Sequence, residues 1–190
     1  MMDVFGCTCV DSFDMDAYEG CTYTEDFNKP LGRIYEKYDT VIDGGSLEHI
    51  FNVAQVIQNL SDLCETGGQI IHIVPSNNFN GHGLYQFNSE FFYNVYSDQN
   101  GYVDTEVFYA DYSFQNMRTW WYARPACGAE RNEFNPGFPT YILCSTTKKD
   151  PDANISNVQS ADWQHRWGSG GRAFTDFPLI TEIDIGELCK

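Results

Sequence analysis

Residues 38–52 read YDTVIDGGSLEHIFN. A short apolar run, Thr40 to Ile42, ends in an acid, Asp43, and two glycines, Gly44 and Gly45. Glu48 and His49 follow, and a helix-period pattern begins directly after them. This is the signature of a strand that runs into a loop at its carboxyl end and then into a helix. In open α/β sheets, ligands bind outside the carboxyl ends of the strands, so the stretch points to a site as well as to a fold.

Reading outward, Val53, Val56, Ile57, Leu60, Leu63 and Cys64 fall at offsets of three and four, one face of a helix. Asn52 is placed to cap its start, and Gly67-Gly68 to end it through a left-handed glycine. Residues 69–74, QIIHIV, form a strand apolar enough to be buried on both faces, and Pro75 stops it. An Asn- and Gly-rich loop, SNNFNGHGLYQF, follows. Asn88-Ser89 then opens a helix whose aromatic face is Phe91, Phe92, Val95 and Tyr96. Upstream, residues 7–13 and 21–24 read as short strands closed by Asp14 and by Glu25-Asp26. Asn28-Lys29-Pro30 breaks the chain, and residues 31–37 read as a short helix. Downstream, residues 102–109 and 140–146 read as strands separated by a long, irregular, aromatic segment, 113–138. Strands alternating with helical patterns indicate an α/β fold with a mostly parallel sheet, the last two strands forming an antiparallel pair at one edge.

The chain has 190 residues with 42% apolar and 16% aromatic content, enough for one domain with a real core. Its net charge of -16 would repel phosphate backbones, which argues against unaided binding to nucleic acid or to an anionic membrane. Solubility alone accounts for such acidity equally well. The seven cysteines include no CxxC pair and read as free thiols of a reducing compartment. With no signal-like start and no run long enough to span a membrane, the expected location is cytoplasmic. His49, His72, His82 and His165 do not show metal-ligand spacing, so no metal site is expected, and His72 reads as a packed core residue.

The order strand–Asp, strand–Asp, strand–DGGSLEHIFN, helix, GG, strand, Pro resembles class I S-adenosylmethionine-dependent methyltransferases. Leu47-Glu48-His49-Ile50 and Gly67-Gly68 resemble the "LEHV … PGG" pattern of the small-molecule enzymes. His82, Phe87, Ser89, Glu90 and Phe91, followed by Asn100-Gly101-Tyr102, resemble their "H…F…E…GF" passage. The likeness covers about residues 8 to 147. It implies a Rossmann-like domain over 1–149, with 150–190 a tail or arm, and S-adenosyl-L-methionine as cofactor. It further implies that Asp14, with Asp16 as the alternative, accepts from the cofactor ribose. Asp26 and Asn28 would lie near the adenine amine. Asp43, Gly44 and Gly45 would floor the pocket, and Glu48 would support that loop or face the methyl donor. The family's first strand and its glycine-rich loop have no counterpart before Asp14, so the sheet reads as N-terminally incomplete. Truncation is the expected account, with a strand supplied by a partner chain or a rearranged fold as the others.

His49 and His82 are the candidate catalytic groups, since an imidazole has a suitable intrinsic pKa for a base. His82, Tyr85 and Gln86 are the candidate substrate contacts. An aromatic lid that merely packs explains the last three equally well. The expected function is methyl transfer to a small-molecule or glycan-type acceptor. The alternative is a non-catalytic, partner-binding module, possible as a homo-oligomer, and a third reading is a carbohydrate surface built on Trp120, Trp121 and Trp163.

Overall fold

The computed structural model describes residues 6–32, 35, 37–113, 119–126, 134–155, 158–159 and 180–184. The elements are β1 (Phe13–Asp14), β2 (Tyr23–Thr24), β3 (Tyr38–Gly44), a 3-10 turn (Leu47–His49), α1 (Val53–Leu63), β4 (Cys64–Asn77), α2 (Ser89–Val95), a second 3-10 turn (Asp98–Asn100), β5 (Tyr102–Asp111), β6 (Thr119–Ala123), β7 (Thr140–Lys148) and β8 (Ile180–Asp184). Six strands form one sheet in the order β3-β4-β7-β5-β6-β8, and β1 pairs with β2 in a separate, parallel two-stranded sheet.

The large sheet is mixed and mostly antiparallel, which corrects the expectation of a mostly parallel one. Only β3 and β4 run parallel, joined through α1; the pairs β4–β7, β7–β5, β5–β6 and β6–β8 are all antiparallel. The physical reason lies in the connections. A parallel pair needs a crossover such as α1, and among the described elements no helix lies between the strands that follow Tyr102, so those strands pair antiparallel. Thr119–Ala123, read from sequence as irregular, is a strand, and Ile180–Asp184 adds another from within 150–190.

Both helix starts follow the local chemistry. Asn52 accepts from the Gln55 N–H and Asn88 from the Phe91 N–H. The C-terminal reading of α1 needs correction. The helix ends at Leu63, and the chain passes directly into β4, where Cys64 pairs with Tyr38. Gly67, at φ +86°, takes up the register shift between Tyr38 and Thr40. A β-carbon on Gly68 would come within 2.9 Å of Cys64 Sγ and 3.0 Å of the carbonyls of Asp39 and Glu65, so a larger residue could not be seated there without a shift. No helix is assigned at the described residues of 31–37; Tyr35 instead joins Phe13, Tyr23, Phe27 and Tyr38 in an aromatic cluster around β1.

Side chains alternate along the sheet, with Val41, Ile70, Val74, Val107, Tyr109, Ile142 and Cys144 buried on the face that α1 and α2 cover. The opposite face is not covered in the same way. Ile42 is 54% exposed and Ile73 40%, so β4 is not buried on both faces as its apolar run implied. The N-terminal piece is tied to α1 through buried Asn59, whose Nδ2 donates to the carbonyls of Phe27 and Lys29. No helix among the described residues is long and apolar enough to cross a membrane.

Lys148 is only 4% exposed and closes the end of α1, its ammonium donating to the carbonyls of Ser61 (2.7 Å) and Cys64 (3.2 Å). Burial pushes its ammonium below the usual lysine range. Lys148→Met would leave both carbonyls without that donor, at a cost of about 1–3 kcal/mol. The expected readout is a lower urea midpoint with an unchanged slope; an unaltered midpoint would refute the capping role.

Candidate functional site at the end of the parallel strand pair

The carboxyl ends of β3 and β4 lead into the two loops that build the site. Asp43, 4% exposed, closes β3 and holds the first loop. Its Oδ1 accepts from the backbone N–H groups of Ser46 (3.1 Å) and Leu47 (3.2 Å). Its Oδ2 lies 2.8 Å from Nδ1 of His72, its direct neighbour across the parallel register. His72 Nε2 in turn lies 2.6 Å from the Tyr96 hydroxyl. Burial, reinforced by Cys144, Tyr102 and Asp43, pushes that hydroxyl well above the usual tyrosine range. Tyr96 therefore keeps its proton and is placed to donate to Nε2, the tautomer in which Nδ1–H donates to Asp43. The turn itself requires Gly45 at φ +88°.

Glu48 and His49 stand side by side on the 3-10 turn that this loop feeds. Glu48 is 1% exposed, and neither of its carboxylate oxygens has a hydrogen-bond partner among the described residues. The second loop delivers His82 to the same place. Leu84 N–H donates to the Glu48 carbonyl at 2.7 Å, His82 N–H to Phe79 O at 3.1 Å, and the Tyr85 hydroxyl to Phe51 O at 3.0 Å. Gly83, at φ +68°, lies against Glu48 where a β-carbon would approach to 2.9 Å. His82 Nε2 lies 3.5 Å and His49 Nε2 3.9 Å from Glu48 Oε1. The two imidazole rings meet edge to face, their centroids 5.0 Å apart. Both histidines are about half exposed, with side chains 51% and 45% accessible, so the group opens to solvent over a buried carboxylate.

The sequence-derived candidates thus fall into two groups. Glu48, His49 and His82 come together through these contacts, while Tyr85 is held apart from them by its bond to Phe51 O and its packing on Phe87. Gln86 does not line that group; its Oε1 accepts from the Phe79 N–H and holds the loop shut. It also borders a polar cleft with Ser76, Asn77, Asn88, Tyr109 and Asn135. Gly44 faces open space, with nothing near the position of a β-carbon. Asp43 turns its carboxylate inward to the loop and to His72. Asp14, Asp26 and Asn28 lie on the N-terminal piece. Asp14 Oδ1 accepts from Met15 N–H and Asp16 N–H, and the carboxylate is exposed. Asp26 is engaged by its own turn: Lys29, then the Asn28 amide, hold its carboxyl below the usual range. Asn28 reaches toward the site, its Oδ1 and carbonyl accepting from the backbone N–H and the Nδ2 of Asn52 at the start of α1.

His72 and Tyr96 were missed as functional neighbours. The available signal was the alternation of QIIHIV, which places His72 on the inward face with Ile70 and Val74. Trp120 and Trp121 lie in β6, where Trp121 packs on Phe134 and Phe138, while Trp163 and His165 lie outside the described residues. Cys64 and Cys144 are buried, whereas Cys7 and Cys9 are exposed.

The Asp43–His72–Tyr96 chain makes a graded prediction. Asp43→Asn removes a charged acceptor and leaves the buried Nδ1–H of His72 facing an amide in its place, at an expected cost of about 3 kcal/mol or more. Tyr96→Phe removes only the terminal donor and is expected to cost about 1–3 kcal/mol. Chemical denaturation of both variants checks the order; a Tyr96→Phe protein as unstable as Asp43→Asn would contradict it.

No family model matches the chain, and no curated protein matches it. Among solved structures, a Bacillus halodurans C-125 protein provisionally designated a methyltransferase aligns with 12% identity and a TM-score of 0.46, over 78% of this chain and 86% of that one. That likeness is too distant to assign a fold or a function.

Proposed function

We propose that the chain binds S-adenosyl-L-methionine and transfers its methyl group to a small-molecule or glycan-type acceptor. The observation that carries this reading is the convergence, at the carboxyl end of the parallel pair β3–β4, of a clamped glycine loop with Glu48, His49 and His82. Ligands of open α/β sheets occupy that position. When bound, the cofactor supplies an electrophilic methyl on a sulfonium. Three features support this reading for its adenosine end. The exposed Asp14 carboxylate is suited to vicinal hydroxyls, and Gly44 leaves room for close approach by the backbone. Asn28 and Asp26 sit beside the start of α1, where the adenine would lie. The acidic chain also suits a cationic sulfonium.

On this reading His49 and His82 face the acceptor. Methyl transfer depends chiefly on alignment, and an imidazole is needed as base only where the acceptor is poorly ionised. The cleft beside Gln86, lined by amide and hydroxyl groups with the rings of Phe87, Tyr109 and Phe134, supports a glycan-type acceptor, which needs both polar contacts and aromatic faces.

A second reading, a non-catalytic partner-binding module, is favoured by one observation: Ile42 and Ile73 are exposed on the outward face of β3 and β4. Calorimetry with S-adenosylmethionine separates the two. The first reading expects a binding isotherm that Asp14→Ala weakens by roughly 10-fold or more, the loss of a charged hydrogen-bond acceptor being about 1.5–3 kcal/mol. No heat of binding, together with sedimentation as a stable dimer, would favour the module.

A further inference from the structure

We propose that Glu48, His49 and His82 form a binding site for a divalent transition-metal ion of the zinc type, with one carboxylate oxygen and two imidazole nitrogens as ligands. The inference is independent of the cofactor reading, because it rests on the three side chains alone. Their ligand atoms all lie within 4.8 Å of one another. In a tetrahedral zinc site, with ligand bonds of about 2.0–2.2 Å, neighbouring ligand atoms lie about 3.4 Å apart. The 3.5 Å and 3.9 Å separations from Glu48 Oε1 to His82 Nε2 and His49 Nε2 are close to that edge.

The independent sign of a missing ligand is Glu48 itself. A carboxylate that is 1% exposed and makes no hydrogen bond among the described residues is costly. Buried charges are ordinarily paired, hydrogen-bonded or coordinated to metal. Here the basic groups within 4 Å among the described residues are two imidazoles, too distant for good hydrogen bonds but well placed to share an ion. Loop construction supports the same conclusion. Gly83 packs directly on Glu48, and the Leu84 N–H bond to the Glu48 carbonyl fixes His82 over the carboxylate. The histidines are open to solvent, which gives an entry path and leaves a fourth position for water. The ligand set selects the class of ion. Magnesium and calcium prefer all-oxygen shells, whereas imidazole with carboxylate suits zinc, cobalt or nickel.

The test uses the full chain, stripped with a chelator and titrated with zinc alone against a chromophoric competitor. The expected result is one equivalent bound, with Glu48→Gln and His82→Ala each weakening it by more than about 10–100-fold, the loss known for mere outer-shell partners. Cobalt substitution should give the intense visible bands of a tetrahedral site in the parent and not in Glu48→Gln. Because Glu48→Gln nearly preserves shape, its metal-free circular dichroism should match the parent, which separates lost ligation from lost folding. The exposed pair Cys7 and Cys9 is the competing source of zinc affinity, so the double change Cys7→Ser, Cys9→Ser is expected to leave binding unchanged. Loss of zinc in the cysteine variant with retention in Glu48→Gln would overturn the proposal, as would an absence of zinc binding by the parent. Failure to bind S-adenosylmethionine would bear on the proposed activity and not on this site.

Discussion

The buried carboxylate of Asp43 is the constraint around which the site is arranged. Removing a charge from water costs several kcal/mol unless its oxygens are satisfied. Here two backbone amides and one imidazole satisfy them, and each contact fixes a different part of the chain. The amides of Ser46 and Leu47 set the turn that places Glu48 and His49. The imidazole joins β3 to β4 at a defined register position, and through Tyr96 it reaches the end of α2. The charge thus does for the loop what a glycine-rich turn cannot do alone: it chooses one conformation among the many that Gly44 and Gly45 permit.

What was legible in the sequence follows from range of interaction. The caps at Asn52 and Asn88 are decided within three residues, and both were readable. So was β3, readable as residues 38–43 and found at Tyr38–Gly44. Strand direction was not, because it depends on how distant segments dock. Nothing in YILCS shows that β7 inserts between β4 and β5. The end of α1 was misread because two influences compete there. The glycine pair favours a left-handed cap, but pairing of Cys64 with Tyr38 and the ammonium of Lys148 end the helix four residues earlier. β6 was hidden because TWWYA has strand-forming residues but sits inside an aromatic segment with no clear alternation.

The site was partly legible for a similar reason. Glu48 and His49 are adjacent in sequence and sit just after a strand, so their location at a strand end could be read. That Glu48 would be buried with no hydrogen bond among the described residues, and that a loop more than 30 residues on would bring His82 above it, are properties of tertiary packing. Spacing along the chain therefore pointed away from a metal cluster, while proximity in space assembles the donors for one. His72 shows the converse: its burial was readable from the apolar strand around it, but its two hydrogen-bond partners were not.

Loop amides ordinarily exchange their hydrogens with solvent quickly, since only local fluctuation is needed to expose them. The N–H groups of Ser46 and Leu47 are different. Their acceptor is a carboxylate locked into the sheet through His72, so they are freed only when that contact opens. These two amides should carry protection factors close to those of β3 and β4 and well above those of the 78–84 loop. A glycine-paired turn that composition alone would leave loose is thereby, on the timescale of hydrogen exchange, an extension of the core.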